Sequence, residues 1–144
     1  MKIDENMVLE SAALLHETVV HISSVLSSLG LPRTSAVILA FLYVAGRPLD
    51  CVEISKSTGY SRSSISQAMK HLEAQRLVLR IKHGRRGLYK PSLRLSHLLV
   101  ELYARTLEGA RARLRRLRED VRDDTRLAEL EEELGAALRV VGRG

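Results

Sequence analysis

Apolar residues recur every three or four positions from about residue 5 to 29, through Met7, Leu14, Leu15, Val19, Ile22, Val25, Leu26 and Leu29. That spacing predicts a helix, which Gly30 ends. Its apolar arc is broader than one core needs, so the pattern points to an interface. Pro32 restarts the chain, Thr34 or Ser35 is placed to cap a second helix, and SAVILAFLYVA up to about Ala45 is almost wholly apolar, as a central core helix is. Gly46-Arg47-Pro48 breaks it, and Leu49 falls in a short extended segment.

Residues 51–75 then read as two short helices. Asp50 is the N-cap of the first, with Glu53 three residues on in capping-box register, and Val52 and Ile54 give an apolar face. Gly59 sits where a chain leaves a helix through a positive φ, and Ser61 caps the next helix, so the connection is about three residues long. In the second helix Ile65, Ala68, Met69 and Leu72 share the inward side. Ser63, Gln67 and Lys70 stand opposite, flanked by Ser64, Ser66 and His71, with Arg62 in the first turn. No carboxylate interrupts that face before Glu73. Hydroxyls, an amide and cations suit phosphates and base edges.

Beyond Gln75, Leu77, Leu79 and Ile81 alternate with Val78, Arg80 and Lys82 in the manner of a strand. His83-Gly84-Arg85-Arg86-Gly87 is a turn with two glycines, and Leu88-Tyr89-Lys90 returns as a second strand. The result is a hairpin with arginines at its tip. From Ser92 a helical stripe runs through Leu95, Leu99, Leu102, Tyr103, Leu107, Ala110, Leu114, Leu117 and Val121, ending in the 4-3-4-3-4 steps of a bundle seam. Asp123-Asp124-Thr125 interrupts it before Leu127, Leu130, Leu134, Leu138 and Val141. Either an antiparallel hairpin or one bent helix fits. A hairpin would set Arg111, Arg113, Arg115, Arg116 and Arg118 beside Glu129, Glu131, Glu132 and Glu133.

Charge sharpens the picture. The 144 residues carry a net +6, but residues 56–94 hold ten basic side chains against one acidic, a local +9, whereas residues 1–55 are net negative and 95–144 balance. The excess sits on and just after the helix-turn-helix, as a polyanion-binding surface requires. Aromatics are 3% and Trp is absent, so the core must be aliphatic. The single cysteine, Cys51, excludes an internal disulfide, and it is read as a small residue packed at a helix start rather than as a lowered-pKa redox sensor. His16, His21, His71, His83 and His97 show no metal-binding spacing. No apolar run reaches membrane-spanning length, MKIDENMV has no signal-peptide character, and the expected compartment is the cytoplasm. No nucleophile, base and orienting acid share a spacing that an enzyme mechanism demands.

The order helix, core helix, helix-turn-helix, arginine-tipped hairpin and C-terminal helices resembles the winged helix-turn-helix of the MarR superfamily of transcriptional regulators. The run GLPRTSAVILAFLYVAGRPLDCVEISKSTGYSRSSISQAMKHLEAQRLVLR is most similar to the GbsR-like branch. Unlike the acid-rich wing common in that superfamily, no Asp precedes Arg85. The resemblance implies a mainly α fold with a two-stranded β-wing. It implies an N-terminal dimerisation helix (1–30), a DNA-binding domain (31–91) and a C-terminal dimerisation region (92–144). It implies also a homodimer on a pseudo-palindromic duplex, no cofactor, and in many relatives a small effector, of which nothing here gives the identity. The recognition helix would run from Ser61 to Lys70. Ser61, Arg62, Ser63, Ser64, Ser66, Gln67, Lys70, His71, Lys82, Arg85 and Arg86 are the expected DNA-binding residues. A non-specific architectural DNA-binder and a protein-interaction winged helix are the alternatives; the polar, cationic face weighs against the second.

Overall fold

The computed structural model describes residues 5–121 and 125–142, with side-chain surroundings from Ala12 onward. Asp123 and Asp124, read as a break, lie outside the described residues, as does the side chain of Met7. The chain forms two compact units, residues 1–95 and 96–144. The described elements are α1 (Glu5–Ser28), α2 (Arg33–Ala45), α3 (Cys51–Thr58), α4 (Arg62–Ala74), β1 (Val78–His83), β2 (Arg86–Pro91), α5 (Leu95–Asp120) and α6 (Thr125–Val140). The fold is mainly helical with a two-stranded antiparallel sheet, a winged helix.

In the first unit α2 is the central element, as its apolar sequence requires. Ala36, Ile38, Leu39, Ala40 and Leu42 are buried, and α1, α3, α4 and β2 all pack on it. Burial of each large aliphatic side chain stabilises the fold by about 1.5–3 kcal/mol. The helix starts earlier than a Thr34 or Ser35 cap would put it. Pro32 holds the N-cap position at φ −56° with no side-chain cap, and its carbonyl accepts the Ala36 N–H at 2.9 Å. Proline's fixed φ already suits that position, which leaves Ser35 inside the helix and buried.

The first strand starts later than the sequence pattern suggests. Leu77 belongs to the end of α4, not to a strand: its N–H donates to the Leu72 carbonyl, and the Arg76 N–H donates to that of Glu73. These two bonds are a Schellman ending, with Arg76 at φ 61°. The strand therefore begins at Val78, which is buried, and Leu79 turns outward at 48% exposure. The turn is also shorter than expected. His83 pairs with Arg86, leaving only Gly84 and Arg85 between the strands, and Gly87 lies within β2. Gly84 has φ 62° and Arg85 is not in the positive-φ region, the combination a type II′ hairpin needs. Leu49, extended as expected, exchanges both backbone hydrogen bonds with Tyr89 and so adds a one-residue third strand along β2.

In the second unit the antiparallel arrangement holds. Arg115 and Arg118 on α5 both bond Glu131 on α6, at 3.0 and 2.9 Å, while Gly135 lies against Arg111. Numbering falls along one helix as it rises along the other. Of the four glutamates expected opposite the arginines, Glu131 makes this crossing; Glu129 and Glu132 pair within α6, with Arg126 and Arg139.

Arg76 is the one non-glycine residue with positive φ among those described. The left-handed conformation costs a side chain more than the extra chain entropy costs glycine, so Arg76→Gly should stabilise the protein by about 0.5–1 kcal/mol. Urea unfolding followed by circular dichroism measures it. An unchanged or lower midpoint would show that the arginine side chain compensates for its own strain.

Candidate nucleic-acid interface

The helix-turn-helix is built from local bonds that its sequence specifies. Asp50 accepts the Glu53 N–H at 2.8 Å, and Glu53 accepts the Asp50 N–H at 3.1 Å, closing the capping box. The Ser55 hydroxyl donates to the Tyr60 carbonyl at 2.7 Å, and the Tyr60 N–H donates to the Thr58 hydroxyl at 3.3 Å, which ties the turn. Gly59, at φ 78°, lets the chain leave α3. Ser61 then caps α4 by accepting the Ser64 N–H.

That turn fixes the rotation of α4. Ile65, Ala68, Met69 and Leu72 are buried, the four residues that periodicity assigns to the inner side. Outward stand Arg62, Ser63, Ser66, Gln67, Lys70 and His71, all exposed, with Ser64 half-buried. The Ser63 and Ser64 hydroxyls lie 3.3 and 3.0 Å from the Ser61 hydroxyl at the helix start. His71 Nε2 lies 3.0 Å from Gln75 Nε2.

On the wing, Lys82 and Arg85 are exposed, Arg85 within the two-residue turn. Arg86 is placed differently from a free tip residue: its guanidinium donates to Asp50. An acid does therefore brace the wing, supplied from the start of α3 rather than from the wing itself. The Glu53 N–H and the Arg86 guanidinium hold the Asp50 carboxyl below the usual aspartate value, against the opposing effect of burial. Cys51, next in the chain, has its thiol pushed up by burial and by Asp50, the reverse of what a helix start alone would do.

Arg80 is absent from the sequence-derived set. It lies opposite Tyr89 in the ladder, and Lys82 lies opposite Gly87, so the four share one face of the hairpin. The alternation of Val78, Arg80 and Lys82 carried this signal. Among the described residues no cluster of three His, Cys, Asp or Glu could hold a metal, and no helix is long and apolar enough to cross a membrane.

The profile of the MarR family matches residues 29–87. The crystal structure of a transcriptional regulator superposes with a TM-score of 0.67 at 18% identity, over 89% of this chain and 92% of that one. That likeness shows the winged-helix fold. Two further solved structures are similar at lower scores. One is a MarR mutant from E. coli, with TM-score 0.47, 15% identity and coverage of 96% and 98%. The other is a MepR mutant from S. aureus bound to an oligodeoxyribonucleotide, with TM-score 0.48, 16% identity and coverage of 97% and 99%. No curated protein matches.

Because the folded pKa of Asp50 is depressed, its contribution to stability is present above the ordinary aspartate value of 3.8 and is lost as pH falls through the lower folded value. Asp50→Asn should lower stability at pH 7 and flatten the loss on acidification. Thermal melts of both proteins from pH 7 to pH 2 measure this. Parallel curves would mean that the carboxylate is not stabilised by the fold.

Proposed function

We propose that this protein is a MarR-family transcriptional regulator of the GbsR-like branch, acting as a homodimer on a pseudo-palindromic DNA site. One observation carries the reading: α4 turns outward, beside a basic hairpin, a face of hydroxyls, amide and cations with no carboxylate before Glu73. The family profile over residues 29–87 supports it. Gln67 reads a base, since its amide can pair bidentately with adenine, while Ser63, Ser64 and Lys70 add base or phosphate contacts. Arg62, Lys82 and Arg85 hold the backbone, and Arg86 sets the wing through Asp50. A cavity of about 800 Å³ beside α1 and α2, with Arg33, Phe41 and Val19 in its walls, is the place we assign to a small effector.

Dimerisation falls to α1 and the C-terminal helices. Leu14, Leu15, Val20 and Val25 are exposed on α1, and Tyr103, Leu117 and Val121 are exposed in the second unit. Both surfaces are apolar beyond what a monomer gains from them. A two-fold dimer would set its recognition helices about 34–36 Å apart, meeting successive major grooves.

Leu117→Glu in the full chain should therefore shift the protein toward monomer in sedimentation, and a dimer that is unaffected would move the interface elsewhere. Gln67→Ala should cost roughly 1–3 kcal/mol on the preferred duplex, selected from genomic fragments, and little on a scrambled one. Equal weakening on both duplexes would favour the architectural reading over the regulator.

A further inference from the structure

The Tyr89 face of the wing holds an arginine in a slot. Arg80 is exposed, yet its side chain lies across the backbone of Gly87: a methyl group added there would stand 2.6 Å from Nε, 3.0 Å from Nη2 and 3.2 Å from Cζ. Gly87 has no positive φ that would call for glycine. Open space above its backbone is what the glycine provides, and the guanidinium fills it.

Two further observations say where that guanidinium acts. Tyr89, its ladder partner, is buried, so this face of the hairpin turns toward the protein, and Glu73 of α4 and Cys51 of α3 both bear electrostatically on Tyr89. Arg80 from the wing and Arg62 from the first turn of α4 act on the same Cys51 thiol, each opposing its upward shift. Among the described residues neither arginine has a carboxylate within ion-pair distance. Asp50 and Glu73 act on that thiol in the opposite sense, Asp50 being already paired with Arg86, so the exposed Arg80 guanidinium is held in place without a carboxylate bonded to it.

We propose that Arg80, laid across Gly87, binds a backbone phosphate of duplex DNA. The inference rests on the DNA-binding reading above and adds a contact to it. A planar guanidinium fork fits two phosphate oxygens at once, and one already held by its surroundings loses less freedom on binding than a mobile side chain.

The test is the affinity of the full-length protein for its preferred duplex and for a scrambled one over a salt series, for wild type, Arg80→Gln, Gly87→Ala and the double variant. Gly87→Ala meets only the far end of a flexible side chain, so the wing should fold, with circular dichroism as the check, and Arg80 should be displaced. One lost phosphate contact lowers the salt slope by about 0.9, or about fivefold in affinity near 0.15 M salt. Arg80→Gln should show that change on both duplexes. Gly87→Ala should reproduce it, and the double variant should be no weaker than Arg80→Gln. An unchanged slope in Arg80→Gln overturns the proposal, and additive losses overturn the slot. If wild type binds both duplexes equally while Arg80→Gln still flattens the slope, the regulator reading fails and the phosphate contact stands. If wild type binds neither, both fall.

Discussion

A single buried carboxylate ties the DNA-binding unit together. Asp50 is only 6% exposed, and its two oxygens serve two elements: one accepts the Glu53 N–H and starts α3, the other receives Arg86 from a strand 36 residues later. A buried charge is tolerated only when it is paired and hydrogen-bonded, and here both conditions are met at once. Leu49, the residue before it, is bridged to Tyr89, so backbone and side chain fasten the same loop to the same strand. The tilt of α3, the entry into α4 and the position of the wing all depend on this junction. By contrast, the Arg47–Glu53 pair, with side chains 63% and 37% exposed, is worth little on its own.

What could be read from the sequence was whatever local chemistry decides. The capping box at Asp50 and Glu53, the positive φ of Gly59, the Ser61 cap and the four inward residues of α4 each follow from a few neighbouring positions, and each is found as expected. The outer face of α4 was legible for the same reason, since fixing one side of a helix fixes the other.

The misses share a cause too: in each, one element's end altered the next. Leu77 looked like part of a strand but was used to close α4, so β1 starts at Val78, with Leu79 on the outside. Gly87 looked like part of a turn because glycines punctuate turns, yet a two-residue turn at Gly84-Arg85 was enough and left it in β2. The contact of Arg86 with Asp50 joins segments whose separation leaves no periodic trace. Arg80 was visible as a cation on a strand, but its slot over Gly87 exists only once the register is set.

The one-residue strand at Leu49 has a consequence for solubility. It covers the outer edge of β2, so among the described residues β1 is left as the open edge of the sheet, with the exposed Leu79 on it. Such an edge can recruit a strand from another molecule and seed aggregation, and charged side chains on it are a common defence. Lys82 and His83 are exposed on that strand, while Arg80 is turned across β2 toward Gly87. The cations that would grip a polyanion are thus also what keeps one copy of the wing from zipping onto another, and a chain stripped of them would risk precipitating before its loss of DNA affinity could be felt.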